Sequence, residues 1–177
     1  AAELKTLETT LPAIAIFDAE LNGNDIGVNL DGKFTKLTDL AVCERVIPAY
    51  RVDSTNEALA LGQYAKNLDL CDIYVIASNP KLITEARSKC NMLYGMVDAA
   101  SLSYADDEDL RGQLIKCGAR GAILPADKAS REFVSYLQDR YLAVWQVVTA
   151  EDISAVSAIN NGVLGLITPD VKATEAC

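Results

Sequence analysis

Histidine is absent from all 177 residues, which removes both the commonest general acid–base side chain and the commonest metal ligand. Any hydrolytic chemistry would have to run on carboxylates, lysine, tyrosine or cysteine. Positive charge is also scarce: 16 Lys and Arg stand against 25 Asp and Glu, a formal net charge of -9. That sign repels phosphate backbones and anionic lipid, so nucleic acid is not an expected partner. No apolar run approaches the roughly 18 residues of a membrane-spanning helix; the longest, 142–148, is strand-sized. The five cysteines, Cys43, Cys71, Cys90, Cys117 and Cys177, form no C-x-x-C pair, and without histidine the usual zinc patterns fail. All but Cys177 fall late in helical patterns or just before strands, at one common end of an α/β protein. They read as small buried apolar side chains, or as a disulfide between neighbouring units. Two further absences matter. No G-x-G-x-x-G follows the first strand pattern, which demotes a doubly wound nucleotide-binding sheet. No lysine falls within the strand candidates, which disfavours Schiff-base and pyridoxal phosphate barrels.

What is present is enough apolar material for a core: 50% of residues are hydrophobic and the mean hydropathy is +0.13, in a chain of one domain's length. Strand candidates at 13–21, 47–52, 73–78, 93–99, 121–125, 142–148 and 163–168 are apolar on both faces, as strands covered on both sides should be. Helical patterns alternate with them. Ser54 with Glu57 forms a capping box, Asn79-Pro80 opens the next helix, 106–117 closes at Gly118, and 127–141 places Phe133, Val134 and Leu137 on one face; 149–160 closes before Gly162. The exception is 22–36, where N-G-N-D and D-G-K read as consecutive turns around a weak strand at 25–30, a β excursion or hairpin. A short helix is expected at 37–45. This alternation predicts an α/β fold, a parallel (β/α) barrel of TIM type. It would be trimmed or incomplete, with seven strong strands and one weak, since about 250 residues are usual for that fold. Beginning at Ala1 without Met, the chain reads as a single domain, 1–177, excised from a longer protein, any signal peptide lying outside it.

In such a barrel the functional face is the C-terminal end of the strands. The polar residues placed there are Asp18, Glu20, Arg51, Asp53, Ser78, Asp98, Gln146, Thr168 and Asp170. Period-two alternation puts Asp18 with Glu20, and Arg51 with Asp53, on common sides. Asp18, Glu20 and Asp53 are therefore candidate ligands for Ca²⁺ or Mg²⁺ in an oxygen cage. Helix capping and salt bridges around Arg51 account for the same residues. Glu20, Arg51, Asp98, Trp145 and Asp170 bound the candidate ligand-binding mouth. The acidic balance favours neutralisation of Arg51 by Asp53 and Glu20, and with it a neutral or cationic ligand. Trp145, the single tryptophan, reads as barrel core or as a stacking platform. Glu20 with Asp98 or Asp53 meets the minimum of a retaining glycosidase, but no second strand-end glutamate accompanies it. The run Asp106-Asp107-Glu108-Asp109 reads as a first helical turn complementing the helix dipole. No residue is assigned a catalytic role.

A family resemblance enters late in the chain. Ala143-Val144-Trp145-Gln146-Val147-Val148-Thr149, a helix opening Ala150-Glu151-Asp152, and then Asn161-Gly162-Val163-Leu164-Gly165-Leu166-Ile167-Thr168-Pro169-Asp170 resemble the end of the glycerophosphodiester phosphodiesterase barrels. Those close with a V-W-T-V-N-like strand, a helix and G-V-D-G-I-I-T-D-x-P. Residues 47–52 and 74–87 look like that family's middle strands, so the likeness runs from about Ile47 to Asp170. Family members carry an H-R-G strand, an E-x-D pair that helps hold a divalent metal, and a second histidine past a D-G turn, the histidines acting as acid and base. Here Asp18-Ala19-Glu20 stands in place of E-x-D, Arg51-Val52-Asp53 ends the next strand, and no histidine exists. The resemblance implies the barrel and a degenerate site. The expectation is a non-catalytic binding or structural module of a larger, bacterial, extracytoplasmic protein, with no cofactor and an unidentified small molecule or protein as partner. The alternative is a metal-dependent glycerophosphodiester phosphodiesterase with an atypical active site.

Overall fold

A computed structural model describes residues 13–40, 46–70, 72–148 and 154–168. They fall into two compact units that divide between Gly95 and Met96.

The first unit opens with strands β1 (Ile14–Asn22), β2 (Asp25–Leu30) and β3 (Lys33–Lys36). β1 pairs antiparallel with β2, and β2 with β3, so the excursion expected at 22–36 is two successive hairpins. Their turns use the left-handed backbone at Gly23, Asp31 and Gly32, the conformation that N-G and D-G sequences favour. A 3-10 turn at Leu37–Asp39 follows and stops at Leu40, which is extended, so the helix expected at 37–45 does not run on from this turn; 41–45 lies outside the described residues. Strand β4 (Ile47–Arg51) returns parallel to β1 on its other edge. Helix α1 (Thr55–Asn67), strand β5 (Tyr74–Ala77), parallel to β4, and helix α2 (Pro80–Lys89) complete the series. The order within the unit is β3-β2-β1-β4-β5. The chain then enters strand β6 (Tyr94–Asp98), whose first residue donates its N–H to the Ile73 carbonyl at 3.1 Å.

The helices start where the sequence places them. Ser54 Oγ accepts from the Glu57 N–H at 3.2 Å, and Glu57 Oε2 accepts from the Ser54 N–H at 3.0 Å. Asn79 caps α2 ahead of Pro80. Helix α1 buries Ala58, Leu61, Gly62 and Ala65, and α2 buries Leu82, Ile83 and Ala86. The two helices cross closely at Gly62, where a Cβ would lie 2.2 Å from the Ala86 carbonyl oxygen.

The second unit continues from β6 through α3 (Asp107–Cys117), β7 (Gly121–Leu124), α4 (Arg131–Gln138), β8 (Ala143–Val147), α5 (Ser154–Asn160) and β9 (Gly165–Ile167). Its strands run parallel in the order β6-β7-β8-β9. Trp145 and Gly165 are partners on adjacent strands. Helix α4 is shorter than the expected 127–141. Ser130 Oγ accepts from the Phe133 N–H at 3.2 Å and fixes the start, while Lys128 N–H is spent on a turn to the Pro125 carbonyl. Cys90 and Cys117 are buried, and the Cys117 thiol donates to the Leu114 carbonyl at 3.2 Å; Cys43, Cys71 and Cys177 lie outside the described residues. Among the described residues no helix is long and apolar enough to cross a membrane.

Helices α1, α3, α4 and α5 end alike, with a left-handed residue at Asp69, Gly118, Tyr141 and Gly162. In each, the next N–H reaches back to close the helix: Leu70 to Ala65, Ala119 to Leu114, Leu142 to Leu137 and Val163 to Ala158. Glycine is the usual occupant of this position, and Tyr141 holds it at φ 60 with its side chain 95% exposed. Tyr141→Gly is therefore expected to stabilise the fold by about 0.5–1 kcal/mol, read as a rise in the urea midpoint without a change of slope.

Candidate functional site

In the first unit, Asp18 of β1 and Arg51 of β4 are partners across the parallel ladder. Arg51 Nη1 donates to Asp18 Oδ1 at 3.0 Å, with the side chains 37% and 72% exposed. At that exposure the pair contributes about 0–1 kcal/mol. The Arg51 Nε is buried and has no partner, so the pair satisfies only part of the guanidinium fork. One residue back, Phe17 and Tyr50 stack on the opposite face of the sheet, their rings 6.0 Å apart. Burial pushes the Tyr50 phenol well above its ordinary pKa, and the phenol of Tyr64 on α1 adds to the shift. The face carrying Asp18 and Arg51 is thus the one turned away from α1.

Glu20 continues the Asp18 face of β1, exposed and opposite Gly27 of β2. Asp53 does not share the face of Arg51 by strand alternation, because β4 ends at Arg51. It lies in the following loop, and its N–H donates to Glu57 Oε2 at 2.8 Å, the same carboxylate oxygen that completes the cap of α1. The partner of Arg51 is Asp18, in place of the expected Glu20 and Asp53. Ser78, just past β5, is half-buried.

Among the described residues no three His, Cys, Asp or Glu side chains come together as metal ligands. Asp18, Glu20 and Asp53 therefore form no cage, and a divalent ion on Asp18 would face the Arg51 guanidinium. At 4 Å and an effective dielectric constant of 20, each unit of such like charge costs about 4 kcal/mol. The residues present do not fit the divalent metal that the family resemblance implies.

In the second unit, Asp98 ends β6 and its Oδ1 accepts from the Ala100 N–H at 3.1 Å. It caps its own loop, the role helix and loop starts commonly give aspartate. Asp98, Ile123, Trp145 and Gly165 are successive partners across the ladders and share one face. Trp145 is 7% exposed, and its indole lies against Gly165, where a Cβ would meet Trp145 Cδ1 at 2.7 Å. The indole therefore packs on bare backbone as core. Gln146 is 2% exposed and stands on the other face, with Leu166, which packs against Ala158 of α5. Thr168 is half-buried after β9; Asp170 lies outside the described residues.

A salt bridge at Arg51 was among the sequence expectations; that Asp18 is the acid it takes was not. The only signal for that pairing would have been the β1–β4 register, which aligns two residues 33 apart in sequence.

No family model matches the sequence, and no curated protein does. Solved structures do match. A phosphodiesterase from Oleispira antarctica, solved with the product sn-glycerol-3-phosphate, superposes with a TM-score of 0.76 over 99% of this chain and 89% of its own, at 11% identity. A glycerophosphodiester phosphodiesterase from Thermotoga maritima gives 0.72 over 98% and 90%, at 15% identity. One from Parabacteroides distasonis gives 0.71 over 97% and 85%, at 16% identity. The chain thus has the fold of the glycerophosphodiester phosphodiesterases, a mostly parallel α/β fold of TIM-barrel type.

Proposed function

We propose that this chain is a non-catalytic member of that fold, a binding or structural module of a larger extracytoplasmic protein. The observation that carries the reading is the absence of histidine from a chain whose strand-end carboxylate Asp18 is engaged by Arg51. A resident guanidinium neutralises the position where the family resemblance calls for a metal, and no side chain of the usual acid–base type accompanies it. The ligand is a neutral or cationic small molecule, met in the first unit by the strand-end residues Glu20 and Arg51. Chemical-shift mapping with a panel of sugars, polyols and glycerophosphodiesters tests this. Shifts centred on those residues are expected. Shifts confined to helix C-terminal ends would overturn the placement. Tight calcium binding lost in both Asp18→Ala and Glu20→Ala would overturn the non-catalytic reading in favour of a metal-dependent hydrolase.

A further inference from the structure

At the C-terminal ends of α1 and α2 the first unit holds an open groove of about 590 Å³, lined by Lys66, Asp69 and Leu70 on one side and by Arg87, Lys89 and Met92 on the other. That volume is in the range of ligand pockets, about 300–1,000 Å³. The groove brings three cations around one carboxylate in a chain whose net charge is -9. Basic residues in the last turn of a helix complement its dipole, which explains one or two cations per helix but not their state of pairing. No carboxylate oxygen lies within 4.0 Å of Lys66, Arg87 or Lys89 among the described residues; Arg87 Nη1 donates to the Leu93 carbonyl, and the two lysines are exposed. Two large apolar side chains share the lining with these cations: Met92 is 57% exposed and Leu70 is half-buried.

We propose that this groove docks an acidic peptide segment of a protein partner, its carboxylates held by Lys66 and Lys89 and an apolar side chain set against Leu70 and Met92. Charge complementarity selects the occupant: in a chain of net charge -9, a groove holding three cations around one carboxylate is where an acidic segment is steered and held. A small inorganic anion would leave the two apolar side chains in water. An anionic membrane is recognised by clusters of about 4–8 basic residues, more than gather here. Methionine supplies a soft, adaptable contact for a peptide side chain. The proposal is independent of any ligand at the strand ends.

The probe is a labelled octapeptide alternating glutamate and leucine, titrated by fluorescence anisotropy and by amide chemical shifts. Expected are shifts at Lys66, Asp69, Asn91 and Met92, and affinity falling steeply as salt is raised. The exposed pair Lys66→Glu with Lys89→Glu should weaken binding at least about tenfold, and Lys66→Gln with Lys89→Gln by less; Met92→Ser should weaken it without changing the salt dependence. No shift at millimolar peptide, shifts elsewhere, or affinity untouched by charge reversal would overturn the proposal. Equal binding of an all-glutamate octapeptide would remove the apolar anchor and overturn it in this form. Binding to phosphatidylserine vesicles that the peptide does not displace would assign the groove to a membrane, and self-association abolished by the charge reversal would assign it to a second copy; either would overturn it.

Discussion

Gly62→Ala is expected to destabilise the fold by about 2–3 kcal/mol, although alanine is the better helix former by about 1 kcal/mol. The new Cβ would sit 2.2 Å from the Ala86 carbonyl oxygen, 3.1 Å from its carbon and 2.9 Å from Lys89 Cβ. Two of those three atoms are backbone, so rotamer change cannot relieve the clash and α2 has to move off α1. That movement loosens the contacts of Leu61, Ile83 and Ala86, all fully buried. Gly112 of α3 is the control: a Cβ there meets nothing within 4 Å, so Gly112→Ala should stabilise by about 1 kcal/mol. Urea unfolding of the two variants decides the matter, and a neutral Gly62→Ala would mean that α1 and α2 do not cross as closely as described.

The second large effect is an absence of turnover. The purified chain is expected to leave glycerophosphocholine intact with or without added Ca²⁺ or Mg²⁺. A positioned acid or base contributes about 10²–10⁴-fold, and the family's scheme here lacks both, so losses compounding to about 10⁴-fold or more follow. Freeing Asp18 with Arg51→Gln should not restore activity, because it supplies neither group. Measurable hydrolysis that disappears in Glu20→Ala would contradict this directly.

Features governed by local chemistry were readable in the sequence. N-G-N-D and D-G-K announce both hairpin turns through the left-handed backbone they favour, and Ser54 with Glu57 announces the cap of α1 because both bonds close within one helical turn. The start of α4 was misplaced because the amphipathic pattern of Phe133, Val134 and Leu137 was extended back past Ser130, whose hydroxyl marks the boundary. Asp18 could be named as a strand-end carboxylate, but not as the partner of Arg51: that depends on which strands are neighbours and in what register. Trp145 was legible as either core or platform, and Gly165 resolves it by leaving room for the indole. The groove at the ends of α1 and α2 left no trace in the sequence reading, since it follows from how closely two helices cross.

Strand β1 carries a kinetic asymmetry. On one edge it meets β2 through the turn at Asn22 and Asp25, while on the other it meets β4, with Asp18 and Arg51 separated by 33 positions. Hairpins form in about 1–10 μs, whereas pairings that close long loops lose more chain entropy before any contact rewards them. The two hairpins can therefore assemble first and present β1, already twisted and aligned, as a template on whose free edge the first parallel strand docks. The antiparallel excursion that interrupts the strand–helix alternation then lowers the effective contact order of the slowest kind of sheet to build.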